Sequence, residues 1–157
     1  MSRPDGVVLH PVTIDNVEKV LAFRGEAQVA RFRTYLSQRR VGVFVLAQDQ
    51  VVGHAWGTRA TSHVVTNGYF SLGPGDALIS DCQVDACYRG RGIYPFMIQA
   101  LSRQLQTAGA NHVLIDTART NVASIRGIEK AGFDLVAETW FFMVGGRRVA
   151  RWQRSRR

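Results

Sequence analysis

The chain has 157 residues, 46% hydrophobic and 20% charged, a balance that fits one globular domain with a single good core and excludes a mainly disordered chain. No apolar run approaches the roughly 20 residues of a membrane span, and Met1-Ser2-Arg3-Pro4-Asp5-Gly6 lacks the apolar stretch of a signal peptide, so no membrane association and a cytoplasmic address are expected. The formal charge of +8 is uneven, since Arg147, Arg148, Arg151, Arg154, Arg156 and Arg157 crowd the last 11 residues and removing their six charges leaves +2 for the other 146.

Val7 to Leu9 reads as a short strand before Pro11. Thr13 can cap a helix carrying Ile14, Val17 and Leu21 on one face, and Gly25 separates it from a second helix that turns Val29, Phe32 and Leu36 inward. Val41 to Ala47 is a strand, Gln48-Asp49-Gln50 a turn, and Val51 to Arg59 its hairpin partner. Ala60 to Gly75 is expected to be irregular, with turn signals at Asn67-Gly68 and Gly73-Pro74-Gly75, and a loop of that length is often functional. Ala77 to Val84 is the next strand. Met97, Leu101, Leu105 and Ala108 mark the buried stripe of a helix that Gly109 ends. Val113 to Ile115 is a short strand, Asn121 to Ala131 a helix stopped by Gly132, and Phe133 to Val144 pairs with Arg147 to Trp152 across Gly145-Gly146. The order gives a mixed α/β sheet with helices packed on it, in one domain spanning residues 1–157. Residues 147–157 form its last strand running into the Arg-rich tail, which is expected to be a solvated, poorly ordered end, although such a run can also attract nucleic acid or anionic lipid.

The most informative segment runs from Val84 through Arg89-Gly90-Arg91-Gly92-Ile93 to Tyr94. A strand passes through a glycine-rich turn into a helix N-terminus, whose unpaired N–H groups and positive dipole end suit an anion. Arg89 and Arg91 add fork-shaped donors. The glycine spacing matches neither a Walker loop nor the dinucleotide fingerprint.

Arg89 and Gly92 after this strand resemble the acyl-CoA signature of the GNAT superfamily of N-acyltransferases, with Tyr94 standing where Gly or Ala is usual. Asn121-Val122-Ala123-Ser124 followed by Glu129-Lys130-Ala131-Gly132-Phe133 is similar to that family's later motif, in the right order. The resemblance implies a mostly antiparallel sheet of about seven strands flanked by about four helices. It also implies an N-acyltransferase that moves an acetyl group from acetyl-CoA, or another acyl-CoA, to a primary amine without a metal. By the same resemblance, Arg89, Gly90, Arg91, Gly92, Ile93 and Tyr94 hold the pyrophosphate. The backbone of Cys82 to Val84 pairs with the pantetheine arm, with a bulge whose N–H can polarise the thioester carbonyl. Asn121 and Ser124 contact the cofactor.

Aminolysis of a thioester needs a base, for which Asp116 and Asp81 are the candidates. The position where many relatives carry a proton-donating tyrosine is Ile128 here, which leaves Tyr94, Tyr88 and Tyr69 as replacements. His54 and Trp56, on the hairpin strand, are candidates for acceptor binding. Cys82 and Cys87 read as buried inert thiols rather than acyl carriers. Trp140, Phe141 and Phe142 can belong to the core, an acceptor pocket or a dimer seam. The acceptor is a small-molecule or peptide amine, shaped by the 60–75 loop, the first two helices and the last hairpin. The competing readings are a CoA-binding module without catalysis and, ranked last, a nucleic-acid-associated protein using its tail.

Overall fold

The apolar run at residues 41–47 is a strand with no polar side, and the fold explains why. Val43, Val45 and Ala47 face one hydrophobic cluster while Phe44 and Leu46 face another, because both sides of the sheet are covered. The structure is a computed structural model that describes residues 3–61, 64–66, 70–144 and 147–155. Its central sheet has the order β1 (Val7–Pro11), β2 (Val41–Ala47), β3 (Gln50–Arg59), β6 (Asp76–Val84) and β7 (His112–Ile115). All neighbours are antiparallel except β6 and β7. Pro11, which has no N–H to donate, ends the edge strand β1.

One face of the sheet is covered by α2 (Ile93–Thr107), through Ile93, Met97, Ile98, Leu101 and Leu105, and Ile128 of α3 (Val122–Lys130) packs against the same cluster. The other face is covered by α1 (Glu26–Ser37) and a 3-10 turn at Val17–Ala22, with Phe32, Trp56, Val17 and Val20 fully buried. Burial of each large side chain of this kind stabilises the fold by about 1.5–3 kcal/mol. Gly109 and Gly132 end α2 and α3 as expected, both with positive φ.

Three expectations change. The first helix is the 3-10 turn, whose three-residue repeat buries Val17 and Val20 and leaves Ile14 and Leu21 exposed. Asn16 Oδ1, not a Thr13 cap, organises its start by accepting the Thr13 N–H at 2.8 Å. The 60–75 segment contains a short hairpin, β4 (Val64–Thr66) with β5 (Phe70–Leu72), while the Asn67-Gly68 turn signal lies outside the described residues. In the terminal hairpin, β8 (Ala137–Val144) starts later than the expected Phe133, while β9 (Arg147–Ser155) is longer than expected. Pairs such as Glu138↔Arg154 extend it past Trp152, so the basic tail is a paired strand through Ser155. Arg156 and Arg157 lie outside the described residues. The mostly antiparallel sheet and its helices are as expected, with five strands in the central sheet and two in the terminal hairpin. Among the described residues, no pairing joins the two.

Candidate functional site

β6 carries the site because both of its neighbours let go of it. β7 pairs with it only as far as Ile79↔Ile115, so Ser80 to Val84 have no β7 partner. On the other side His54 pairs with Gln83 and Trp56 with Ser80, which leaves Ala55 opposite both Asp81 and Cys82. This is a β-bulge, and Asp81 adopts the left-handed conformation at φ +46°. The bulge breaks the alternation of the strand. Ser80 and Asp81 both line one cavity of about 580 Å³, together with Arg31, Tyr35, Arg40 and Arg59. Cys82 turns instead to the core beneath α2, where burial and then the nearby Asp81 push its thiol up to about 12. That thiol is inert at neutral pH. Cys87 differs from expectation in being exposed, on a short 3-10 turn at Ala86–Tyr88.

Asp81 is held from α1. Gln28 Nε2 donates to its Oδ2 at 3.1 Å, and the Arg31 guanidinium lies 3.9 Å away. Gln28 accepts from Arg24 in turn, and Arg24 also donates to the Gln83 side chain. A polar chain from Gln83 to Asp81 thus fixes both ends of the bulge.

The turn that follows is built for an anion. The Asp85 carboxylate accepts the Cys87 N–H at 2.8 Å, Arg89 Nε donates to the Val84 carbonyl at 3.2 Å, and Gly90 and Gly92 sit at φ +77° and +75°. The Arg91 guanidinium lies over the Tyr88 ring and donates to the Cys87 carbonyl. Among the described residues, no acceptor takes the N–H groups of Gly90, Arg91, Gly92, Ile93 or Tyr94. Such a row of unpartnered amides at a helix start is a fit for a diphosphate. A second cavity, of about 770 Å³, opens on the β1–β2 side of the turn and meets it at Tyr88, Arg91 and Ile93.

α3 closes the other side. Asn121 caps it, accepting the Ser124 N–H at 3.2 Å. Tyr94 reaches across from α2, with its hydroxyl near that of Ser124. Its ring fills the space over Gly127, where a Cβ would stand 2.6 Å away. Burial, with Cys82 and Asp116 nearby, pushes the Tyr94 phenol up to about 12, so it stays protonated. Ile128 packs into the core, Tyr88 lies under Arg91, and Tyr69 is outside the described residues.

Asp81 faces the α1-side cavity where β6 leaves β7, while Cys82 faces the other side, near Tyr94, which in turn lies near Asp116 and Ser124, and residues 89–93 follow along the chain. The structure does not bring His54 and Trp56 to a cavity. Both are fully buried between α1 and the sheet, which corrects their expected role in acceptor binding. His54 is structural: its Nδ1–H donates to the Asp81 carbonyl at 2.9 Å and so pins the bulge. Burial lowers its pKa to about 4. An unfolded chain takes up this proton near pH 6.5, and the native state refuses it until about pH 4. Stability is therefore full above pH 6.5 and falls as the pH drops through that window, by up to about 3 kcal/mol. Thermal unfolding at pH 7 and pH 4.5 should show the loss, and His54→Gln should flatten it. An equal loss in both proteins would remove the assignment.

The cavity residues Arg31, Tyr35, Arg40 and Arg59 were not anticipated. The one local signal was the spacing of Gln28, Arg31 and Tyr35, three and four residues apart, which puts polar groups on one helix stripe.

A model of the acetyltransferase (GNAT) family matches residues 14–133. No curated protein sequence matches the chain. Among solved structures, the aminoglycoside N-acetyltransferase AAC(6')-Iy in complex with CoA is similar at 18% identity over 92% of this chain and 99% of that one, with a TM-score of 0.69. AAC(6')-Ih from Acinetobacter baumannii is similar at 17% identity over 89% and 99%, with a TM-score of 0.68. An aminoglycoside acetyltransferase from an uncultured soil metagenomic sample, in complex with sisomicin, is similar at 11% identity over 89% and 97%, with a TM-score of 0.63. These likenesses establish the shared fold, and the match over residues 14–133 establishes the lineage: the chain belongs to the acetyltransferase (GNAT) family.

Proposed function

We propose that the chain transfers an acyl group, in the first instance acetyl, from acetyl-CoA to the primary amine of a small acceptor. The observation that carries this reading is the row of unpartnered N–H groups from Gly90 to Tyr94, directly after the open stretch of β6. The turn from Arg89 to Tyr94 would hold the pyrophosphate. The backbone of Cys82 and Val84 would pair with the pantetheine arm, and the Asn121 amide and Ser124 would contact it from α3. Acetyl-CoA brings an activated acyl carbon and a thiol leaving group with a pKa of roughly 8.5.

The chain's own groups supply the proton transfers. Asp81, in the cavity wall, takes the proton that the amine sheds as its nitrogen bonds the acyl carbon. Asp116, across Cys82 on the α3 side, is the alternative base. Tyr94 gives a proton to the sulfur as the C–S bond breaks and regains it from solvent. It does so from α2, in place of the tyrosine that position 128 lacks. Tyr94→Phe keeps the ring against Gly127 and removes only the hydroxyl. It should lower kcat by about 10²-fold or more with CoA binding unchanged. Wild-type kcat in Tyr94→Phe would dismiss this donor.

The test of the whole reading is a thermal shift with acetyl-CoA, longer acyl-CoAs and CoA. A ligand at 100 times its Kd adds about 2.7 kcal/mol. Stabilisation, followed by CoA release with amines, is the expected result, and no shift with any of them defeats the reading. Ile128 at the donor position favours a second reading, a CoA-binding module without catalysis. Its signature would be stabilisation by CoA with no release across a broad amine panel.

A further inference from the structure

The cavity beside Asp81 has a charge that bears on the acceptor. Two arginine side chains, Arg31 and Arg40, face it against one carboxylate, Asp81, while Arg59 pairs with Ala77 and sends its guanidinium to the α2 side of the sheet, near Gly109. Arg31 is drawn to the Asp81 carboxylate. Arg40 is the informative one. Its Nη2 donates to Ser80 Oγ at 2.6 Å, and its guanidinium carbon lies 3.7 Å over the Tyr35 ring. A hydroxyl and an aromatic face hold the fork in place without cancelling its charge. Among the described residues no carboxylate pairs with the Arg40 guanidinium. An oxyanion entering the cavity would be the counter-ion of its open edge.

We infer that the acceptor is an amine that also carries an oxyanion, a carboxylate or a phosphate, whose anionic end docks on Arg40 while its amine meets Asp81. This deepens the acyltransferase reading and rests on it. The bulge sets the size. Ser80, which anchors Arg40, and Asp81 are consecutive, so the anion and the amine of the acceptor are separated by only a few bonds. The cavity volume is in the range of small-molecule sites, about 300–1,000 Å³. A polycation such as an aminoglycoside would meet two arginines instead of a complementary surface.

The experiment uses the full chain and a set of defined probes. The α-amino acids and O-phosphoethanolamine carry the two anions, amino-acid amides and ethanolamine lack them, and sisomicin is the polycation. Binding is read by thermal shift and calorimetry without CoA, and turnover by CoA release from acetyl-CoA. At least one anionic probe should bind and turn over about tenfold better than its uncharged counterpart, and the better of the two anion classes names the group. Arg40→Gln should weaken that probe by about tenfold or more and leave stabilisation by CoA intact. Should Arg40→Gln not fold, Arg31→Gln on the exposed side of α1 serves, with a smaller loss in the same direction. Preference for sisomicin or for the uncharged amines, or equal affinity of the anionic probe for the Arg40 variant, overturns the inference. Loss of the CoA response in the wild-type chain defeats the acyltransferase reading instead, and the CoA-independent binding data keep the two failures apart.

Discussion

Gly92→Asp is expected to abolish CoA binding while the domain stays folded. Gly92 precedes the first turn of α2 at φ +75°, among the N–H groups that no acceptor takes. A left-handed conformation costs a residue with a side chain about 1–2 kcal/mol, least for Asn and Asp. Against that, a carboxylate at a helix N-cap contributes about 0.5–2 kcal/mol by accepting the same N–H groups and facing the positive dipole end. The two terms nearly offset, so Tm should move little. Binding should not survive, because the new carboxylate occupies the seats of the diphosphate and repels it. A loss of about 100-fold is the expected scale for replacing charge-assisted hydrogen bonds with a like charge. Calorimetry with CoA on the folded variant measures it, and unchanged affinity would mean that the pyrophosphate lies elsewhere.

Asp81→Asn should cost kcat about 10²–10⁴-fold while CoA still stabilises the protein. The substitution is clean for a structural reason. Asn tolerates the left-handed conformation that Asp81 adopts at φ +46°, and its carbonyl oxygen can still accept the Gln28 amide. Loss of the bulge is therefore not the cause of the lost rate. Asp116→Asn is the partner measurement. If it carries the loss and Asp81→Asn does not, the proton leaves on the α3 side of Cys82, and the arginine-lined cavity loses its catalytic wall.

What could be read from the chain was local. The turn from Arg89 to Gly92 and the helix start at Asn121 are contiguous, and the dihedral and capping demands they meet act over a few residues. The apolar run at Val41–Ala47 was equally plain. The bulge was expected only by resemblance, since it depends on which residues of β3 face β6. Arg31 and Arg40 come from a helix and the turn after it, Ser80 and Asp81 from a distant strand, and only the fold makes them one wall. The exchange between Tyr94 and Gly127 is of the same kind. A tyrosine at a position that relatives keep small is a departure when α2 is read alone. With α3 in view, it is a large residue filling what a glycine leaves open. Ile14 and Leu21 turn out exposed while Val17 is buried as expected, because a three-residue repeat and an α-helical one share their first step.

The slip at Asp81 and Cys82 also divides the chain by its tolerance of length change. Thr61 and Leu72, between β3 and β6, line the cavity, and insertions beside them would reshape the opening without altering which way any β6 side chain faces. One residue lost between Ser80 and Val84 would do the opposite. It would cancel the slip, straighten the strand against β3, and send Asp81 or Cys82 to the wrong side, with a sheet better paired than before. Variants of this enzyme should therefore diverge by loop length around a β6 of constant length, and a shortened β6 should mark a stable protein that no longer transfers anything.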